Sequence, residues 1–420
     1  MQGRSAAPRR VAASRAIGRS AFAAAVLGLI STAADASEAR APDAVGMIYV
    51  DAELSPGGGD ADRRRAAARG GNPLQDELRD GLADYRQRWG SLPQLEVPAG
   101  PTLRPGASGD RVRTLRTRLG LAGEGGYDAD LERAVRDYQT VHGLPVDGVA
   151  GPLTLASLNR GAGHYERLIL ANVERARALP ANPGRRYILV DIAAARLWMY
   201  EDGRPVDSMR VIVGRPAEQT PMMAAYVRYA VLNPYWNVPP DLVQRRIAPN
   251  VLDQGVSYLR ERGYELLSGW AEDAEPVDPA RVDWRAVAAG ERQLRVRQRP
   301  GPGNMMGEVK FMMSDRLGIY LHDTPDRALF GAADRRLSSG CVRLEDARRL
   351  SNWLFGRSVT ARPGDPEQRI DLPEPVAVYI TYFTAAPSGD GIVFREDVYG
   401  IDAGLQPRLG YDAMELATRD

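Results

Sequence analysis

A cysteine and a histidine 19 residues apart carry the chemistry this chain can offer. Cys341 is the only cysteine among 420 residues, and His322 is one of three histidines, with His142 and His164. A thiol becomes a nucleophile when its proton leaves, and an imidazole within hydrogen-bond reach is a suitable acceptor for it. Cys341 lies in Leu337-Ser338-Ser339-Gly340-Cys341-Val342-Arg343, just before a helix expected over 344–355. A thiol near a helix N-terminus feels the positive end of the peptide dipoles, and its pKa falls. Gly340 removes a side chain from the approach path and lets backbone come close. His322 ends a strand expected over 319–322. A strand carrying the imidazole and a loop returning to it can bring the two groups together. The plainer alternative is a small buried thiol and a structural histidine.

Composition excludes several other chemistries. Fifty-five basic residues against 54 acidic ones leave a net charge of +1, so there is no electrostatic case for nucleic-acid binding. Nearly all the basic charge is arginine; Lys310 is the sole lysine, and its type alone points to no role. One cysteine cannot form an intrachain disulfide. A structural zinc site needs about four Cys or His ligands, and the whole chain offers only four such residues, scattered. No metal or other cofactor is expected. Apolar residues at 44% and charged residues at 26% are globular values, and the length allows two or three domains.

The N-terminus reads as an export signal. Arg4, Arg9, Arg10, Arg15 and Arg19 precede a small or apolar run over 21–30, and Ala34-Asp35-Ala36 fits cleavage after Ala36. That run is too short to span a bilayer, and no later segment reaches about 18 apolar residues. Residues 1–36 are therefore expected to be a signal peptide. The mature chain is expected to lack an integral membrane segment and to reside in a periplasm.

Residues 37–102 read as a linker, rich in Gly, Arg and Ala over 55–71, and a scaffold helix. Leu74, Leu78, Leu82, Tyr85 and Trp89 form one stripe of that helix. Residues 103–160 read as an all-α three-helix module, with Asp110 and Asp128 as caps. A connecting helix covers 165–179. From Arg186 the period changes to two, with strands expected over 187–192, 196–200, 208–213, 226–232 and 308–314. Between them, 238–304 reads as a mixed insertion folded over the β domain; such long insertions beside a site often act as lids. A hairpin is expected within 373–404, with strands over 376–384 and 392–394.

Two sets of motifs resemble known families. Leu103-Arg104-Pro105-Gly106, Gly109-Asp110-x-Val112, Tyr138-Gln139, Gly143-Leu144 and Asp147-Gly148-x-x-Gly151-Pro152-x-Thr154 resemble the peptidoglycan-binding module of bacterial wall enzymes. Ile319-Tyr320-Leu321-His322-Asp323-Thr324 followed by Ser338-Ser339-Gly340-Cys341-Val342-Arg343 resembles the L,D-transpeptidase catalytic domain, over residues 185–357. The common signature has His before Gly-Cys and Asn two residues after Cys. Ser339 and Arg343 stand there in this chain, a variant similar to the large periplasmic subclass with a capping insertion. Asn233-Pro234-x-Trp236-x-Val238-Pro239-Pro240 is similar to the family stretch that leads into that insertion.

The resemblance implies a multidomain α+β protein with a β-sandwich-like catalytic domain and a two-step acyl transfer. Cys341 would attack the carbonyl of the third stem residue and expel terminal D-alanine, with His322 moving the proton. Gly340 and Cys341 backbone N–H groups would hold the oxyanion. Arg343 would bind a stem carboxylate or assist the oxyanion. The imidazole would be oriented by a backbone carbonyl or by Ser339, with Ser338 a weaker choice. Asp323 points to the opposite strand face. Tyr320 would line the pocket, and Trp236 and Trp270 would wall the donor groove. The implied partners are donor tetrapeptide stems, an amine acceptor, and D,D-carboxypeptidases that supply the tetrapeptides. Water as acceptor would make an L,D-carboxypeptidase, and a dead site would leave a wall-binding protein.

Overall fold

The period-two segments pair into one curled sheet whose edge strands meet. The computed structural model describes residues 46–55, 72–121, 124–271, 273–313, 317–389 and 391–404. The signal peptide expected over 1–36 lies outside the described residues. The start of the expected linker is part of the fold: β1 (Ile48–Tyr49) runs parallel to the strand Met223–Leu232, and Met47, Tyr49 and Leu54 are buried.

The scaffold stripe forms α1 (Pro73–Tyr85). Asn72 caps it by accepting from the Gln75 N–H at 3.0 Å, and Pro73 sits in the first turn where no N–H is needed. Three helices follow in the module: α2 (Asp110–Arg118), α3 (Ala129–Val141) and α4 (Pro152–Asn159). Asp128 caps α3 through the Leu131 N–H at 2.9 Å. Asp110, expected as a cap, is the first residue of α2; Gly109 takes the cap position. The connecting helix is α5 (Ala162–Ala176).

The main sheet uses β2 (Arg186–Asp191), β3 (Arg196–Glu201), β4 (Arg204–Gly214) and β5 (Met223–Leu232). In the insertion, β6 (Trp236–Val238), β7 (Tyr264–Leu267) and β8 (Arg295–Gln298) form a separate small sheet. β9 (Val309–Met313), β10 (Leu321–His322), β11 (Arg336–Ser338) and β12 (Val342–Leu344) follow, then α6 (Ala347–Phe355) and β13 (Gln368–Thr381). The pairing order is β5-β13-β2-β3-β4-β12-β10-β9, and β9 pairs back onto β5. The expected sandwich is thus a ring of strands. Closure leaves those strands without a free edge.

Two boundaries differ from expectation. β13 belongs to the ring, parallel to β2 and antiparallel to β5, so the main sheet extends past residue 357. The separate C-terminal hairpin is β14 (Ala385–Ser388) with β15 (Gly391–Phe394). The insertion has its own apolar core, including Val238, Val243, Ile247, Leu259, Leu266 and Val296.

A single apolar core runs from the helical module into the ring. Its junction is aromatic. His142, at the end of α3, stacks 3.7 Å from the Tyr138 ring and 5.4 Å from Phe394 of β15. Tyr165 of α5 lies edge-on at 4.4 Å, and the Tyr85 hydroxyl of α1 meets His142 Nε2 at 3.0 Å. A Cβ on the neighbouring Gly143 would come within 2.3 Å of the Phe394 carbonyl oxygen, so only glycine permits this approach.

Candidate active site

The register of β10 against β12 decides which side chains share a face. The two strands are parallel, with Leu321 opposite Val342 and His322 opposite Arg343, and the Val342 N–H donates to the Tyr320 carbonyl at 3.0 Å. Leu321 and Val342 are fully buried in the core. Side chains alternate along a strand, so Tyr320, His322, Cys341 and Arg343 occupy the other face. Cys341 precedes β12 by one residue, so it lies diagonally across from His322 on that face.

His322 is 4% exposed, and its Nδ1 lies 2.5 Å from the Asp323 carbonyl oxygen. A carbonyl only accepts, so Nδ1 carries the proton and Nε2 is left as the basic nitrogen. The Asp323 side chain turns the other way. It accepts from the Glu308 N–H at 2.9 Å and pairs with Arg327 at 2.5 Å. Lys310 of β9 sits directly opposite His322 on its other flank, so the imidazole lies between two cations. Burial pushes its pKa down to about 3, and Arg343 and Lys310 push the same way against the Asp323 hydrogen bond. The ring is neutral at any ordinary pH.

Cys341 is half-buried, with Sγ 3.5 Å from the Gly318 carbonyl oxygen. It follows a tight turn. The Ser338 hydroxyl donates to the Cys341 carbonyl at 2.6 Å and accepts from the Gly340 N–H at 3.2 Å. Gly340 has φ +110°, and an added Cβ would press on Ile319 at 3.3 Å. Its carbonyl accepts from the Thr220 hydroxyl at 2.7 Å, which in turn accepts from the Gly214 N–H at 2.8 Å. Arg343 is mostly buried, 3.8 Å from Asp326. Burial lowers its pKa, while Asp326 and Cys341 raise it.

Several expected roles find no support in this geometry. Residues 342–344 are a strand, and α6 begins only at Ala347, capped by the Asp346 carboxylate on the Arg349 N–H at 2.9 Å. The helix dipole is therefore spent on Asp346 rather than on the thiol. Ser339 does not orient His322; it is exposed and faces Arg215 Nη2 at 3.3 Å. The Gly340 N–H is engaged by Ser338 rather than presented to an oxyanion. Trp236 packs with Tyr264 at 6.3 Å inside the insertion, and Trp270 is 60% exposed. Tyr320 is half-buried on the shared face. Sequence reasoning missed Thr220 and the cation at Lys310; only the rarity of lysine marked the latter.

Gly214 makes this support testable. A Cβ there would lie 2.2 Å from the Glu218 carbonyl oxygen and 2.5 Å from the Thr220 nitrogen, both backbone. Gly214→Ala is expected to cost about 1–3 kcal/mol by overpacking, read as a lower urea midpoint. Activity per folded molecule should fall too, because Thr220 loses its hold on Gly340. An unchanged midpoint would show that the 215–220 loop yields freely.

Residues 185–367 match the L,D-transpeptidase catalytic domain (YkuD), and residues 108–158 match the "Putative peptidoglycan binding domain". The chain is thus similar to the L,D-transpeptidase catalytic domain over 185–367, with a region similar to a peptidoglycan-binding domain N-terminal to it. It is similar to a "Putative L,D-transpeptidase" of Haemophilus influenzae, 33% identical over 238 residues. That alignment covers 55% of this chain and 47% of the relative, so the chain spans about half the relative's length. An L,D-transpeptidase from Xylanimonas cellulosilytica shares 18% identity over 67% of this chain and 98% of its own, with a TM-score of 0.21. L,D-transpeptidase 1 of Mycobacterium tuberculosis shares 10% over 47% and 61%, also at 0.21. Superpositions this low add nothing to the sequence matches. Among the described residues, no helix is long and apolar enough to cross a membrane.

Proposed function

We propose that this protein is a peptidoglycan L,D-transpeptidase that works through a thioester on Cys341. The observation that carries the reading is the β10–β12 register, with Cys341 and His322 on one face and the imidazole proton fixed on Nδ1. His322 Nε2 takes the thiol proton as sulfur bonds to the carbonyl of the third stem residue. It returns that proton to the departing amine of D-alanine. An amine of a second stem then attacks the thioester, gives its proton to Nε2, and leaves the new cross-link and the free thiol. The neutral resting imidazole suits this general-base role. Arg343, beside Cys341, is placed to hold a stem carboxylate or the oxyanion. The helical domain brings the enzyme to the wall, D,D-carboxypeptidases supply the tetrapeptides, and the export signal directs the chain to the periplasm.

Hydrolysis by the same pair is the second reading, because Cys341 stays half-exposed and water could take the acceptor's place. Purified enzyme fed disaccharide-tetrapeptide distinguishes them by product mass. Cross-linked dimer is the expected product. Tripeptide as the sole product would replace transfer by L,D-carboxypeptidase activity, and no product at all would leave a wall-binding protein.

A further inference from the structure

The loop between β4 and β5 touches both the cysteine turn and the insertion, and Glu218 stands where the two meet. Its side chain is 16% exposed, with Arg215 Nε 3.0 Å from Oε2 and Arg245 Nη2 2.6 Å from Oε1. Arg215 reaches the same turn independently, through its N–H to the Ser338 carbonyl at 3.1 Å and its Nη2 to the Ser339 hydroxyl at 3.3 Å.

Arg245 belongs to the insertion. It lies in the wide helical turn Val243–Ile247, where Asp241 holds it at 2.5 Å. That turn buries Val243 and Ile247 in the insertion's own core. Among the described residues no other ion pair joins the insertion to the strand ring. The chain of contacts therefore runs Asp241, Arg245, Glu218, Arg215, Ser339, and ends two residues from the sulfur. Hydrogen bonding from Ser339, then from Arg245, holds the Glu218 carboxyl below the usual carboxylate range, so it is charged at neutral pH.

A mostly buried carboxylate held between two arginines has a defined geometry, unlike a solvated surface pair. Removing Arg245 leaves Glu218 and Arg215 free to shift. The cysteine turn responds because Ser339 sits inside it. We propose that Glu218 is a positioning residue: it latches the insertion, through Arg245, to the turn that carries Cys341, through Arg215, which bonds both Ser338 and Ser339. The turn then keeps its working shape only while the insertion is seated. This rests on the acyl-transfer reading for its kinetic consequence and on the structure alone for its mechanical one.

The test uses the full-length protein with Glu218→Gln, Arg245→Ala and the double variant. Arg245 is exposed, so its removal spares the fold even if Glu218→Gln weakens it. Hydrogen exchange is read over 238–254 and 338–343 without substrate. Both single variants are expected to exchange faster in both segments. Turnover of disaccharide-tetrapeptide should show kcat about tenfold lower for Glu218→Gln with KM within about twofold, as for a misplaced nucleophile. The double variant should be no slower than Glu218→Gln alone, since both changes break one connection. Glu218→Asp should recover part of kcat. Unchanged exchange at 338–343 in both single variants, or fully multiplicative kinetic losses, would overturn the latch. An inactive wild type with faster exchange in both variants would refute acyl transfer and support the latch.

Discussion

Cys341→Ala is expected to abolish turnover of disaccharide-tetrapeptide, and His322→Gln to slow it by about 10²–10⁴-fold. The size follows from the absence of a substitute base on the shared face. Across from His322 stand two basic side chains, Arg343 and Lys310, neither of them an imidazole. The loss should fall on kcat, because neither Sγ nor Nε2 is needed to hold the rest of a stem peptide. The pH profile is equally diagnostic. With the imidazole pKa pushed down to about 3, the rate should show no inflection near pH 6.5. A single-turnover acylation series from pH 5 to 8, with product mass as readout, checks both points. His322→Gln with more than a tenth of wild-type kcat would remove imidazole from the mechanism. An inflection near 6.5 would mean that the ring is solvated in the working enzyme.

The second large effect concerns the fold. His142 donates from Nδ1 to the Tyr138 carbonyl at 2.8 Å and accepts at Nε2 from the Tyr85 hydroxyl. Burial pushes its pKa down to about 3, with Arg118 and Arg88 adding to the effect against the Tyr138 bond. The unfolded chain takes up this proton below about pH 6.5. The folded chain resists until about 3, so between those values the unfolded state binds more protons. Stability is full above pH 6.5 and falls as pH drops, by up to about 1.4 kcal/mol per pH unit. His322 behaves the same way, so the pair approaches about 3 kcal/mol per unit, a large share of the 5–15 kcal/mol typical of a fold.

Asp191 and Asp402, whose carboxyls burial pushes up, act oppositely by keeping their protons to higher pH in the fold. A difference measurement removes that complication. Urea titrations of wild type and His142→Phe from pH 6.5 to 5 should give slopes that differ by about 1.4 kcal/mol per unit, the variant being shallower. Parallel slopes would mean that His142 is already charged in the fold.

Scarcity made the candidate pair legible. One thiol and few imidazoles leave little choice, and a glycine before the thiol narrows it further. Pairing partners were less legible. Residues 376–381 read plainly as a strand, yet nothing local says that Val378 aligns with Ile188, 190 positions earlier. Val342-Arg343-Leu344 shows why the dipole argument failed. Three residues with apolar ends suit a strand as well as the start of a helix, and pairing with both β4 and β10 settled it. The group that orients His322 was only narrowed, because a main-chain carbonyl leaves no mark on residue type. The insertion's strands are three or four residues long, too short for their alternation to stand out.

The aromatic junction at His142 bears on reach. With the Gly143 backbone against Phe394 and ring stacked on ring, the helical domain is packed directly onto β15 at this seam. Whatever polymer that domain grips is thereby kept at one fixed offset from the sulfur. An enzyme of the kind proposed would measure its next bond from its own foothold, like the pitch of a sewing foot, with the spacing of its stitches written into the protein rather than left to chance encounter.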